Sequence, residues 1–386
     1  MSLLEILRSH RVVVTVGSGG VGKTTSAAAL AVHAALEGRR VLCLTIDPAR
    51  RLANSLGLSE MTTSEQEVPK ELFAAHGLEL KGSLSAMMLD TKKTFDQLIH
   101  NLASDAESRD RILNNEIYQY VSNSLAGTQE YMAMEKLFEV RKDPSWDLIV
   151  LDTPPTANAL DFLDAPERLI GTIDSPATRW FIQAFETSDR GAFGALLSKG
   201  ASLVLSGLAK FTGAEFLKQV AEFIAGLNDL FGGFRAHATE VSEALRSDDV
   251  AFVVVTSPHP LAIREAVFFS DRLKEAGMRR DGVIVNQVHE LLPEPEPEAD
   301  ELARMVAPHL ERSRFSPEEA VERMFTALDD ERMRAVADRV ETDRLRYHLG
   351  EEVNFVEVPA FEEDVHDLLA LHRVSKYLTG ELSSAL

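Results

Sequence analysis

Short runs of apolar, mostly β-branched residues recur along the 386-residue chain, separated by segments of helical length. The runs are Arg11–Val16, Val41–Ile46, Leu84–Leu89, Leu148–Asp152, Ala251–Thr256, Gly282–Asn286 and Phe355–Val358. Each is apolar throughout rather than alternating, which is how a strand reads when both faces of its sheet are covered. The helical stretches between them predict an α/β fold with a doubly wound, mostly parallel sheet.

Two long intervals, Thr91–Arg141 and Glu167–Arg246, contain no strand pattern. They predict helical insertions at about 92–141 and 167–246 within one domain spanning residues 1–386. In the second, Phe216, Val220, Phe223, Leu227, Leu230 and Phe234 fall on one face of a helix. The stretch Gly191–Ala209 is rich in Ala, Leu, Gly and Ser, with Lys199 as its only charge. Such a surface serves either to pack a helix on its own core or to line a groove. Further on, Pro293–Glu298 alternates proline and glutamate as a short extended spacer. A heavily charged helical stretch follows through about Arg346, and no function attaches to it from its pattern.

Composition narrows the partners. Forty basic and sixty-one acidic side chains leave a net charge of −21, which repels nucleic acid and anionic lipid surfaces. The single cysteine, Cys43, sits in an apolar run as a small core residue. It forms no intrachain disulfide and no CxxC metal site. The first residues lack the basic leader of a signal peptide, and no apolar stretch approaches the ~20 residues of a membrane-spanning helix. A cytoplasmic protein is expected.

The most specific chemical signal is Gly17-Ser18-Gly19-Gly20-Val21-Gly22-Lys23-Thr24, a G-x-x-x-x-G-K-[ST] loop. A strand leads into it, and an alanine-rich helix leaves it and closes at Gly38. Glycines let the backbone turn tightly and aim N–H groups at phosphate oxygens, beside a helix N-terminus that favours negative charge. Lys23 is expected to reach the β- and γ-phosphates, and the Thr24 hydroxyl to ligate Mg²⁺. Asp47 and Asp152 each end an apolar strand, at the sheet edge where ligands bind in this architecture.

With those motifs the chain resembles the ArsA/GET ATPases, which include the arsenite-pump ATPase and the targeting factor for tail-anchored membrane proteins. The resemblance covers the loop, Thr45-Ile46-Asp47-Pro48-Ala49, Ala126-Gly127-Thr128-Gln129-Glu130 and Asp152-Thr153-Pro154-Pro155-Thr156. It continues at Asn286-Gln287, Val358-Pro359 and Glu363-Asp364-Val365. It implies an Mg-dependent ATPase that works as a dimer, closing on ATP and opening after hydrolysis. By the same resemblance Asp47 orients the attacking water, and Asp152 with Thr24 stands at the Mg²⁺. The nucleotide contacts are then Gly17, Gly19, Gly20, Val21, Gly22, Lys23, Thr24, Thr25, Asn286 and Pro359, with Asn286 on the adenine. The helical insertions correspond to a mobile subdomain that holds a hydrophobic client or membrane partner.

The departures are equally informative. Family loops begin with a lysine that reaches the partner subunit's phosphates, and Ser18 stands there instead. A hydroxyl does not replace that charge. Three readings stay open. The chain pairs with a paralogue that keeps the lysine; or Arg50 or Arg51 supplies the charge in a homodimer; or the chain is an ATP-binding regulatory subunit with little turnover. The zinc-binding CxxC of the eukaryotic members is absent, and one cysteine cannot bind a metalloid as the arsenite-pump members do. No [NT]-K-x-D motif is present to read guanine, which argues against a GTPase. The cysteine count excludes a nitrogenase-type iron protein.

Overall fold

The computed structural model describes residues 2–46, 50–124, 128–153, 230–295, 297–310, 314–350 and 353–383, with scattered positions between 165 and 226. Its centre is an eight-stranded sheet in the order β3-β4-β2-β5-β1-β6-β7-β8. The strands are β1 (Val12–Val16), β2 (Arg40–Thr45), β3 (Gln66–Glu67), β4 (Ser83–Met88), β5 (Leu148–Asp152), β6 (Val250–Thr256), β7 (Arg280–Val288) and β8 (Asn354–Pro359). All pairings are parallel except β3 with β4. Seven of these match the predicted runs to within a few residues at their ends. The short edge strand β3 was not predicted, because two polar residues carry no hydrophobic period.

Both faces of the sheet are covered, which accounts for the continuous apolar runs. Val12, Val14 and Val16 point into one core, shared with Leu98, Ile99, Leu137 and Phe269 from flanking helices. Val13 points into the other, shared with Ala28, Leu30, Ala31 and Leu371. The alanine-rich helix Lys23–Leu36 packs on the final helix Leu368–Thr379, since small side chains let two helices approach closely. Cys43 is fully buried in β2, and burial pushes its thiol well above the ordinary thiol range, as expected for an inert core residue.

The interval 91–141 is helical where described, through Thr91–Leu102, Ala106–Leu113, Glu116–Ser124 and Thr128–Arg141. Most of 154–229, including 191–209 and Leu227, lies outside the described residues. Of the predicted stripe, Phe216 is exposed, whereas Phe223, Leu230 and Phe234 are buried. Phe234 lies 6.4 Å from the ring of Phe95, and Phe223 lies 6.3 Å from that of Tyr118. Along these positions the stripe packs on the protein's own core rather than lining an open groove. The charged stretch forms a short helix, Ala299–Val306, and then a 33-residue helix, Pro317–Leu349, started by a capping box between Ser316 and Glu319.

A histidine–glutamate pair joins the helices Thr128–Arg141 and Phe231–Leu245. His237 Nε2 lies 2.7 Å from Glu135 Oε1, whose side chain is 8% exposed. The hydrogen bond that the His237 ring donates to the Glu135 carboxylate raises the His237 pKa above its ordinary value against the opposing cost of burial. A raised histidine pKa gives stability that is complete below the unfolded value of about 6.5 and is lost as pH rises through the folded value. Wild-type protein should therefore lose more thermal stability between pH 6 and pH 8 than a His237→Gln variant does. The buried His33 and the half-buried His372 have lowered pKa values, chiefly from desolvation, and contribute with the opposite sign, so the comparison with the variant isolates His237. Truncation, His237→Ala, leaves the Glu135 carboxylate buried without its partner and should cost on the order of 3 kcal/mol in denaturant unfolding.

Candidate active site

Because all strands but β3 are parallel, their carboxyl ends collect at one edge of the sheet, and the chain places β5, β2, β4 and β3 on one side of β1 and β6, β7 and β8 on the other. The loop Gly17–Thr24 leaves β1 at that change of direction, where doubly wound sheets bind ligands. Two of its glycines are required by space as well as by conformation. Gly17 has φ 153°, and a Cβ there would lie 2.0 Å from the Val255 carbonyl oxygen. Gly22 has φ 92°, and a Cβ would lie 2.2 Å from Asn286 Nδ2. The loop is thus pressed against the ends of β6 and β7.

Lys23 opens the helix Lys23–Leu36 and is only 6% exposed. Its ammonium donates to the Ser18 carbonyl oxygen at 2.7 Å, which holds the charge against the loop. Thr24 Oγ1 donates to Asp152 Oδ2 at 2.7 Å, and Thr45 Oγ1 donates to the same oxygen at 3.1 Å. The register places Asp152 directly beside Thr15 of β1 and Thr45 of β2, so the buried carboxylate lies between neighbouring strand ends. Thr153 Oγ1 donates to the Thr15 carbonyl oxygen at 2.8 Å and anchors the chain just past Asp152.

Asn286, near the end of β7, donates from Nδ2 to the Val21 carbonyl oxygen at 3.0 Å. It therefore braces the loop as well as facing the cavity. Gln287 has φ 63°, the only described non-glycine residue in the left-handed region. The β7–β8 register shifts between Val285 and Val288, around this residue.

A cavity of about 760 Å³ runs from this loop to the segment after β8. Of the predicted contacts it gathers Gly20, Gly22, Lys23, Thr24, Thr25, Asn286 and Pro359. Gly17, Gly19 and Val21 form the rest of the loop and do not line the cavity, and Asp152 meets it through Thr24. Asp47 lies outside the described residues, and so do the side chains of Arg50 and Arg51, which begin the helix Arg50–Ser55. Motif reading missed Asn54, Ser55, His289, Phe361 and His366, which also line the cavity. None belongs to a spacing that identifies it; only the fold carries these segments to the loop.

The residues fit a magnesium nucleotide. Gly20 and Gly22 border the cavity with bare backbone, Lys23 supplies a buried cation, and a hydroxyl and a carboxylate oxygen supply the hard donors magnesium prefers. Thr24 and Asp152 would hold the metal, whose charge lowers the cost of negative charge gathering on the phosphates.

A glycine loop between strand and helix, a buried lysine in it, and a threonine of the helix's first turn bonded to an aspartate at a neighbouring strand end define a P-loop nucleotide hydrolase. Sequence comparison narrows this. The model of the anion-transporting ATPase family matches residues 10–307, and the chain belongs to that family. It is 25% identical over 292 residues to the ATPase get3 of Aspergillus terreus, covering 74% of each chain. It is 26% identical over 289 residues to the ATPase GET3 of Chaetomium globosum, covering 75% of each. A third relative, the ATPase get3 of Neurospora crassa, is 25% identical over 292 residues, again covering 75% of each. The chain is accordingly an ATP-binding ATPase of the ArsA/GET type. Among the described residues no helix is long and apolar enough to cross a membrane.

Proposed function

We propose that this chain is a cytoplasmic, Mg-dependent ATP hydrolase whose dimeric nucleotide cycle gates a hydrophobic client or a membrane-protein partner. The observation that carries the hydrolase part is the Thr24–Asp152 contact at 2.7 Å beside the Lys23 ammonium. In this reading Lys23 and the loop amides hold the terminal phosphate, and Asp47 orients the attacking water. Thr24 and Asp152 keep the metal position, and Asn286 with Pro359 receives the adenine. The net charge of −21 leaves nucleic acid out of the partner set.

The client part rests on the family resemblance and on the helical insertions at 92–141 and 167–246 of the single domain. Phe223 and Phe234 are packed on Tyr118 and Phe95, so a client helix gains access to this face only if those rings part. Binding of an apolar helix peptide in the presence of a non-hydrolysable ATP analogue is the measurement, and no binding there removes the client part.

Ser18 favours a second reading, in which the chain binds ATP but turns it over little unless paired with a paralogue that carries a lysine there. Mg-ATP turnover measured across protein concentration, beside a Ser18→Lys variant, separates the two. A working homodimer shows activity that rises with concentration and changes little on substitution. A chain that waits for its partner binds ATP, turns over negligibly, and gains about 100-fold or more from Ser18→Lys, since a cation supplied in trans is worth orders of magnitude here.

A further inference from the structure

We infer that His289, held by Asp338 of the helix Pro317–Leu349, contacts the nucleoside part of the bound nucleotide, with Asp338 as its positioning residue. The inference rests on the reading that the cavity at the glycine loop holds the nucleotide. His289 lies one residue past β7 and lines that cavity together with Asn286, Gln287, Pro359 and Ala360. The glycine loop, Lys23 and Thr24 occupy the phosphate end. The wall contributed by the ends of β7 and β8 is left for the sugar and base.

The placement of the ring is built rather than incidental. Gln287 takes its left-handed conformation, the ladder to β8 skips, and Val288 then pairs with Pro359 while the Ala360 N–H donates to the Val288 carbonyl oxygen at 2.9 Å. That fixes the backbone carrying His289 to the segment after β8. Asp338 Oδ2 then lies 2.7 Å from His289 Nδ1 and accepts the His289 backbone N–H at 2.9 Å. A carboxylate only accepts, so Nδ1 bears the hydrogen of this pair and the ring's rotation is set. Glu331 Oε2 stands 3.9 Å from Nε2 on the same helix. The Asp338 side chain is 15% exposed, so its contact with the ring is sheltered from competing water. Both carboxylates come from beyond residue 307, where the family match ends. The long helix, to which the sequence pattern attached no role, thereby becomes part of the nucleotide site.

The alternative is that the pair only pins the helix to the sheet. Dissecting the ligand separates the two. Titration calorimetry with Mg-ADP and with magnesium tripolyphosphate, which lacks a nucleoside, is run on wild-type, His289→Ala, Asp338→Ala, Asp338→Asn and the double His289→Ala/Asp338→Ala protein. We expect His289→Ala to weaken ADP about 5- to 10-fold, as the loss of one ring contact to the nucleoside does, and to leave tripolyphosphate within about two-fold. In turnover the loss appears mainly as a raised KM for ATP. Asp338→Ala gives part of the same loss, the double variant is no worse than His289→Ala, and Asp338→Asn, which keeps an accepting oxygen, retains most of the affinity. Unchanged ADP affinity in His289→Ala, or an equal loss for both ligands, overturns the inference. Lys23→Ala distinguishes the failures. If it weakens both ligands while His289→Ala changes neither, only the His289 assignment falls; if it weakens neither, the nucleotide reading of the cavity falls with it.

Discussion

Replacing Lys23 with alanine should reduce Mg-ATP turnover by about 100- to 1,000-fold, the range seen when a single preorganised charge is removed from a reacting centre. The ammonium is buried, held 2.7 Å from the Ser18 carbonyl oxygen, and stands beside the Thr24–Asp152 pair. Among the described residues the only other basic side chains that line the cavity are His289 and His366, so no described lysine or arginine is placed to take over. Steady-state hydrolysis at saturating ATP reads the chemical loss, and ADP titration reads the accompanying loss of phosphate affinity. Turnover within a few-fold of wild type would remove Lys23 from the site. The fold should survive, because the loop conformation is set by its glycines and by the Asn286 contact rather than by the lysine.

Gly17→Ala should be the most damaging substitution to stability. The new methyl would lie 2.0 Å from the Val255 carbonyl oxygen and 3.1 Å from its carbon, on a backbone at φ 153°. The obstacle is main chain of β6, which is paired to β1 through five registered positions and cannot swing away as a side chain would. Relief requires either the loop or two central strands to move. Backbone strain and overpacking each cost about 1–3 kcal/mol, so a loss of about 2–6 kcal/mol is expected. Thermal unfolding of the purified variant measures it, and a midpoint within a degree or two of wild type would refute the packing argument. Gly20→Ala serves as the comparison, since a Cβ there meets nothing within 4 Å and only the positive φ opposes it.

The contrast between these two positions marks the boundary of what a motif says. Gly17 and Gly20 are both expected from the sequence to contact nucleotide, yet one is pressed on a neighbouring strand and the other faces open space. The same holds at the far wall of the cavity. Asn286 was legible as a nucleotide residue through its resemblance, but its hydrogen bond to Val21 shows that it also braces the loop. His289 and Phe361 carried no spacing signal, because each stands just beyond a strand end, where no period applies. The stripe of Phe223, Leu230 and Phe234 was readable as one helical face, but not what covers it. An apolar face has the same pattern whether it meets its own core or a client.

What the sequence by itself determined is the class of fold and the chemistry of the phosphate end. Continuous apolar strands require a sheet covered on both faces, and the glycine loop with Lys23 and Thr24 is a contiguous segment whose local geometry suffices to cradle phosphate. Only the tertiary structure decided how the remainder of the site is joined to that loop. Asp152 reaches Thr24 across 128 residues, Asn286 reaches Val21 across 265, and Asp338 reaches His289 from a helix with no motif at all. Those contacts depend on strand order and register. Both are chosen by the packing of the whole core, so no local pattern records them.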